Sequence, residues 1–162
     1  MLKLVSILVA AGALATSATA SGRMHAIQVR GHDTGTFSLA PGGSPGIFLS
    51  TDVGSGVASH LGHYDFLAHE VFDAANNVVT QATFTITTRH GTLSGNYTAT
   101  TGVGATPNIV TYHAPGFITG GTGRYTGATG TIVFDGYGDL ETSKLDDSFV
   151  AGIVVPSDWD DD

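Results

Sequence analysis

Residues 54–73, GSGVASHLGHYDFLAHEVFD, bring together side chains that could bind a metal ion or move protons. Histidine and aspartate are common zinc ligands, which makes the three histidines and Asp65 a candidate metal set. On a strand that rises about 3.3 Å per residue, His63 and His69 lie roughly 20 Å apart, and His60 points to the face opposite His63. Ligands of one zinc ion lie only about 2 Å from it. The spacing therefore argues against a metal site.

The same segment offers His60 and Glu70 as a pair that could handle protons. If the aromatic residues at 64, 66 and 72 line a cavity, strand parity places His60 and Glu70 on that inward face. Desolvation there would raise the pKa of the Glu70 carboxyl and make it a candidate catalytic acid or base, with His60 orienting it or a substrate. The alternative is that Glu70 lies in water at the strand end and His60 bonds neighbouring backbone. The rarity of unpaired buried charges favours that alternative.

Period-two alternation predicts that strands carry these side chains. A helix over residues 61–75 is the competing prediction, but one face of an extended chain would collect Tyr64, Phe66, Ala68 and Phe72. The other face would collect the polar residues His63, Asp65, His69 and Asp73. This separation is typical of a strand with one buried face. The segment is therefore predicted to be one bent strand, or two strands joined near Gly62.

Similar alternation and frequent glycine turns predict strands along the rest of the chain. The clearest are residues 80–88, with Phe84 inward, and residues 92–100, with Tyr97 inward, which should form a hairpin. Other extended segments are expected at 24–30, 36–39, 47–51, 108–114, 116–119, 131–137 and 148–155. Turns or loops are expected at 31–34, 41–46, 76–77, 102–107 and 138–147, and Pro115 indicates an edge or a bulge. The pattern predicts an all-β, single antiparallel eight-stranded β-barrel, with a two-sheet β-sandwich as the alternative.

A glycine-rich stretch, FITGGTGRYTGATG at residues 117–130, lies between two of the predicted strands. The stretch does not match a dinucleotide-binding or phosphate-binding loop, because no lysine follows it and no strand-to-helix context exists. Positive φ is cheap only for glycine, so the stretch predicts a tight strand corner. In that corner Tyr125 would pack inward and Arg124 would brace carbonyls or a carboxylate.

The corner sequence GGTGRYTGATG resembles the signature near the C-terminal end of dirigent proteins and the related allene oxide cyclase barrels. GVASHLG at residues 56–62 is similar to a segment of small secreted bacterial proteins that share this barrel. The resemblance implies an eight-stranded barrel with a central cavity. It also implies hydrophobic substrates that are cyclised or coupled without a metal or organic cofactor. No catalytic set of that family aligns with this chain.

Composition limits the compartment and the partners. Residues 1–20 have the charged, apolar and small-residue regions of a secretory signal, which predicts a secreted or periplasmic protein. Residues 21–156 would be the barrel, and residues 157–162 an acidic tail with solvated carboxylates rather than a calcium loop. The chain has no cysteine and a formal net charge of −8, so a basic surface for nucleic acid is not expected. No apolar stretch approaches the length of a membrane span, and assembly with further copies stays open.

Three functions follow from these predictions. The first is binding, without catalysis, of a small apolar molecule in a cavity lined by Tyr64, Phe66, Phe84, Tyr97 and Phe134. The second is a cofactor-free cyclase or isomerase that uses Glu70 and His60. The third is a structural or surface-associated barrel filled by its own side chains. Tyr112, His113 and Asp135 could also reach the cavity or its mouth.

Overall fold

A computed structural model describes residues 24–156, and they close into an antiparallel β-barrel. Its strands are β1 Met24–Pro41, β2 Ile47–Ala58, β3 Gly62–Asp73, β4 Val78–Thr88, β5 Gly91–Val103, β6 Ile109–Gly121, β7 Thr129–Asp139 and β8 Lys144–Pro156. Strands pair in chain order, and β8 pairs with β1. The predicted eight-stranded barrel is therefore confirmed, and the sandwich alternative is wrong. The predicted secretory signal and acidic tail lie outside the described residues.

Alternation along the strands places one side chain in two inside the barrel, as the sequence predicts. On β4 the buried residues include Ala82, Phe84 and Ile86, and on β5 they include Leu93 and Tyr97. The helix considered for residues 61–75 is wrong, because β3 covers most of that segment. The described helix is a single 3-10 turn, and nothing helical in residues 24–156 is long and apolar enough to cross a membrane.

The first strand differs most from the sequence prediction. Residues 31–34 were expected to turn, yet β1 runs through them without a break. Gly31 and Gly35 allow close packing there instead of a turn. A Cβ on Gly31 would lie 2.2 Å from the Phe149 ring, and one on Gly35 would lie 2.0 Å from the carbonyl oxygen of Val53. The expected connection at 138–147 is also shorter, since β8 already begins at Lys144.

Pro115 lies within β6 and does not divide it into two strands. The β5–β6 ladder pairs Tyr97 with Gly116 and resumes at Thr100 with His113, so it is interrupted beside the proline. Proline has no N–H to donate to a ladder, which accounts for the interruption. On its other side β6 stays paired with β7 throughout this region.

The two ends of the barrel are built differently. The upper end carries the β1–β2, β3–β4, β5–β6 and β7–β8 connections, and the lower end carries the glycine corner. In that corner Gly123 and Gly127 have φ values of 60° and 76°, and the 3-10 turn Gly123–Tyr125 inserts the fully buried Tyr125 ring. The Tyr125 hydroxyl lies 3.2 Å from the Thr88 hydroxyl. The predicted strand corner is confirmed, and its tyrosine closes the lower end.

Candidate functional site

The upper end of the barrel opens into a cavity of about 300 Å³. Seven apolar side chains form most of its wall: Phe37, Leu39, Phe72, Val79, Val110, Leu140 and Leu145. Inward polar side chains of Ser50, Asp52, Glu70 and Tyr112 also line it. The volume falls at the lower end of the range for small-molecule sites, about 300–1,000 Å³. Apolar walls with a few polar groups are the usual composition of such sites.

Two carboxyls on neighbouring strands form the polar floor of this cavity. Asp52 lies on β2 opposite Ala68, and Glu70 lies on β3 opposite Ser50. The two acids are therefore diagonal neighbours on one face of the sheet, with side chains roughly 7 Å apart at their bases. The Ser50 hydroxyl donates to Asp52 Oδ1 at 2.5 Å. The Tyr97 hydroxyl, which comes from β5 two strands away, donates to Glu70 Oε1 at 2.5 Å, and Ala82 on the intervening β4 pairs with both residues.

Burial changes the protonation of both floor carboxyls. Burial and then the nearby Asp52 carboxyl raise the pKa of Glu70 from 4.5 to about 7, against the hydrogen bond from Tyr97. Burial also raises the pKa of Asp52, against the hydrogen bond from Ser50 and the charge of His69. The pKa of Tyr97 is raised by burial and by Glu70, so its hydroxyl stays a donor. Near neutral pH the floor can therefore gain or lose a proton.

A second acidic pair lies deeper in the barrel. Asp33 on β1 and Asp147 on β8 are direct cross-strand partners, and both are almost fully buried. The Tyr112 hydroxyl donates to Asp147 Oδ1. Gly136 leaves room for that contact, since a Cβ there would lie 2.3 Å from the carboxylate oxygen and 2.8 Å from the tyrosine oxygen.

Burial also dominates the protonation of this inner pair. It raises the pKa of Asp33 from 3.8 to about 6, against the opposing charge of His32. It raises the pKa of Asp147 from 3.8 to about 8, against the hydrogen bond from Tyr112 and with added repulsion from Asp33. Two carboxylates facing each other cannot both ionise cheaply. At neutral pH Asp147 is therefore mainly protonated.

Tyr64 lies beside the inner pair. Its pKa is raised by burial and then by the nearby Asp33 carboxyl. The hydroxyl is completely buried, and no hydrogen bond of ordinary geometry joins it to Asp33 or to another described residue. Tyr64 therefore adds a third buried polar group beside Asp33 and Asp147.

The five aromatic residues predicted to bind a ligand pack against one another in the middle of the barrel. Phe134 is central: its ring centroid lies 5.5 Å from Phe66, 5.4 Å from Phe84 and 5.4 Å from Tyr97. Phe149 joins this cluster, at 5.7 Å from Phe134 and 5.8 Å from Tyr64. All five predicted residues are buried, at 7% exposure or less. The cluster fills the lumen below the cavity, and Tyr97 connects it to the floor through Glu70.

The structure separates the two residues that the sequence placed together as a candidate acid–base pair. Glu70 lines the cavity, as inward parity predicts. His60 lies in the exposed turn between β2 and β3, at the lower end, with a φ of 63°. The parity prediction for His60 is wrong because β2 ends at Ala58 and the count does not continue through the turn.

Tyr112, His113 and Asp135, which the sequence allowed to reach the cavity or its mouth, lie on different sides of the barrel wall. Tyr112 points inward and lines the cavity. His113 and Asp135 are exposed on the outer wall, where His113 Nδ1 lies 2.6 Å from Asp135 Oδ1. Their side chains therefore form a surface pair and do not reach the cavity.

Sequence reasoning missed three inward acids: Asp33, Asp52 and Asp147. Alternation could have identified Asp147, since it shares parity with the buried Phe149 and Ala151 on β8. It could also have identified Asp33, which shares parity with Val29, but the expected turn at 31–34 removed that position from a strand. The alternation that identifies these acids was present in β1 and β8, but the predicted strand ends excluded both positions.

No protein-family model matches this sequence, and no curated protein matches it. Among solved structures, the pterocarpan synthase dirigent protein GePTS1 is similar to this chain, with a TM-score of 0.51 over 82% of this chain and 85% of that chain. The barrel has a dirigent-like fold. Sequence identity is 13%, so this likeness concerns the path of the backbone and not the residues of the cavity. The acidic floor of the dirigent-like barrel has to be interpreted from its own geometry.

Proposed function

We propose that this dirigent-like barrel binds a small, largely apolar molecule in its upper cavity, without catalysis. The observation that carries the proposal is the apolar wall of the 300 Å³ cavity, which surrounds the floor formed by Asp52 and Glu70. Contact with seven apolar side chains supplies affinity, at roughly 25 cal/mol for each Å² removed from water. The aromatic cluster supports the cavity from below, because packed rings hold Tyr97 and hence the Glu70 carboxyl in place.

A neutral fluorescent probe, N-phenylnaphthylamine, tests this proposal directly. Val110 lines the cavity, so Val110→Trp should fill part of it and weaken probe binding by about tenfold or more. Val57→Trp is the matched control, because Val57 is 54% exposed on the outer wall and its replacement leaves the cavity unchanged. Circular dichroism would establish that both variants fold. Equal probe affinity in the two variants would place binding outside the cavity and refute the proposal.

A second candidate function is a cofactor-free cyclase or isomerase. It is favoured by the pKa of Glu70, which is about 7 and so suits a group that both accepts and donates a proton. In this candidate Glu70 is the acid or base and Tyr97 orients it. If the wild-type protein turns over a compound that binds in the cavity, Glu70→Gln should lower kcat by about a hundredfold or more. Unaltered turnover in Glu70→Gln would exclude Glu70 from that role.

We also propose that residues 1–20 direct export, in keeping with their charged and apolar pattern. N-terminal sequencing of the exported protein should find a new terminus near Ser21. Recovery of the chain with residues 1–20 attached, and only inside the cell, would contradict this.

A further inference from the structure

The cavity carries acidic groups with no basic partner. Asp52 and Glu70 line it, and none of its lining residues is a lysine, an arginine or a histidine. The nearby Lys144 side chain is exposed on the outside of β8. Arg124 lies in the glycine corner at the opposite end of the barrel. His69, exposed on the outer face of β3, lowers the pKa of Asp52 by its charge but does not line the cavity, so no residue of the cavity wall supplies a positive charge to the floor.

Each floor carboxyl is held by one hydrogen bond and keeps a second oxygen for another partner. Ser50 engages Oδ1 of Asp52, and Tyr97 engages Oε1 of Glu70. Asp52 Oδ2 and Glu70 Oε2 are not among the fully buried polar atoms that lack a hydrogen-bond partner. Both side chains line the open cavity. The two carboxyls thus present acceptors to whatever occupies the cavity. Fixed donors on one side orient them for that contact.

The apolar wall is an independent indication of what that occupant is. A hard metal cation would need about six to eight oxygen ligands, and the described residues contain no group of three or more acidic or histidine side chains placed to hold a metal. An organic ligand can instead contact the wall with an apolar body and the floor with a charged end.

Resting on the binding function proposed above, we propose that the ligand is a hydrophobic amine, whose protonated nitrogen binds between Asp52 and Glu70 while its apolar body packs against Phe37, Phe72, Val79 and Val110. The nitrogen donates hydrogen bonds to the free oxygens of both carboxyls. A charge-assisted bond is roughly twice as strong as a neutral one, so the charged end fixes orientation and selects against neutral and anionic analogues.

Several ionisable groups surround Glu70, and their signs determine how binding depends on pH. Asp52 on β2, Asp147 on β8, and the hydroxyls of Tyr97 and Tyr112 on β5 and β6 are acidic groups. The basic group that acts on the floor is His69, which is exposed on the outer face of β3 and lowers the pKa of Asp52. Binding a cation therefore favours ionised Glu70, and a proton is released when Glu70 starts protonated. Cation affinity must fall as pH drops below about 7.

The test compares three probes of similar shape: phenethylamine, phenethyl alcohol and phenylpropionate. Isothermal titration calorimetry should show phenethylamine binding about thirty-fold more weakly at about pH 5.5 than at about pH 8.5, because a carboxyl of pKa about 7 must first lose its proton. Phenethyl alcohol should show little pH dependence. Phenylpropionate should bind more weakly than either at about pH 8.5, because the floor repels it.

Matched variants test whether the preference for the amine comes from the floor carboxyls or from the overall negative charge of the protein. Glu70→Gln and Asp52→Asn keep side-chain shape and the contacts from Tyr97 and Ser50, and each should remove most of the preference for the amine. Glu141→Gln is the control, because Glu141 is an exposed acid near the mouth and its carboxylate bonds Asn108. It should leave the preference unchanged.

The outcomes distinguish this inference from the function on which it rests. If phenethyl alcohol binds in the cavity as tightly as phenethylamine at about pH 8.5, the cavity binds apolar molecules but the amine assignment is wrong. If none of the three probes, nor N-phenylnaphthylamine, binds, then the binding function itself fails. An amine preference that Glu141→Gln abolishes and Glu70→Gln retains would show surface attraction and would also overturn the assignment.

Discussion

Asp147→Asn should weaken the dependence of this protein's stability on pH. Asp147 is 4% exposed, faces Asp33 across the β1–β8 ladder and has a pKa of about 8, against 3.8 in an unstructured chain. Between those values the folded protein holds a proton that the unfolded chain has released. Stability is therefore greatest below about pH 4 on this account and is lost as pH rises through about 8. This is opposite to a carboxylate that is stabilised by an ion pair.

The size of the effect follows from the same values. Each tenfold change in proton affinity corresponds to about 1.4 kcal/mol, so ionising Asp147 costs the folded state roughly 5–6 kcal/mol. Asp33 and Glu70, with pKa values of about 6 and about 7, contribute slopes of the same sign. Asparagine cannot ionise, and its amide oxygen can still accept the Tyr112 hydroxyl. The variant should therefore lose several kcal/mol of the pH dependence and be the more stable protein at about pH 9.

Urea unfolding at a series of pH values measures this. The free energy of unfolding of the wild type should decline from about pH 4 to about pH 9, and the Asp147→Asn curve should be clearly flatter. Asp65→Asn is the matched control, since Asp65 is exposed on the outer face of β3 and should leave the wild-type slope in place. If the wild-type and Asp147→Asn curves run parallel, Asp147 is not a buried carboxyl with a raised pKa. The account of the inner acidic pair would then be wrong.

Substitutions at three further positions test how the barrel is packed and stabilised. Tyr125→Ala should lower the free energy of unfolding by about 3–5 kcal/mol, because it removes the ring that fills the lower end of the barrel. Tyr125→Phe keeps the ring and should lower it by only about 1 kcal/mol. Equal losses in urea unfolding would contradict a packing role for Tyr125. Gly136→Ala should cost about 1–3 kcal/mol, because its Cβ would lie 2.3 Å from Asp147 Oδ1, and an unchanged urea midpoint would show that the inner pair has room to spare. His113→Ala should change stability by less than about 1 kcal/mol, since the His113–Asp135 pair is exposed; a larger loss in the same assay would give it a structural role.

The sequence predicts the barrel well where a strand has one buried face and one solvent-exposed face. Phe84 and Tyr97 alternate with threonine and asparagine, so period two identifies both strands and their inward sides. The corner at residues 122–128 was also predictable, because glycine is the residue that adopts positive φ most readily. Gly123 and Gly127 have positive φ in the structure. These features depend on neighbours along the chain, which a single sequence displays.

The candidate site depends on contacts that the chain order does not display. Gly31 and Gly35 look like turn residues, but they allow β1 to approach Phe149 and β2. Mistaking their role removes Asp33 from the inner face. The contact between Tyr97 and Glu70 joins β5 to β3 over the small Ala82 of β4, and it requires the register of β4 with both of its neighbours. Alternation predicts which side chains point inward, but not which of them meet.

The position of the acids argues that the upper part of the lumen is shaped for binding more than for stability. Below the cavity, Phe66, Phe84 and Phe134 fill the barrel with ring contacts that stabilise it. Above and beside them, Asp52, Glu70, Asp33 and Asp147 occupy inward positions on four adjacent strands, and burial raises the pKa of each. Apolar side chains at those positions would extend the core without that cost. A fold that bears several kcal/mol of unfavourable burial beside an open cavity has the arrangement expected where ligand recognition, and not packing, determines the residues.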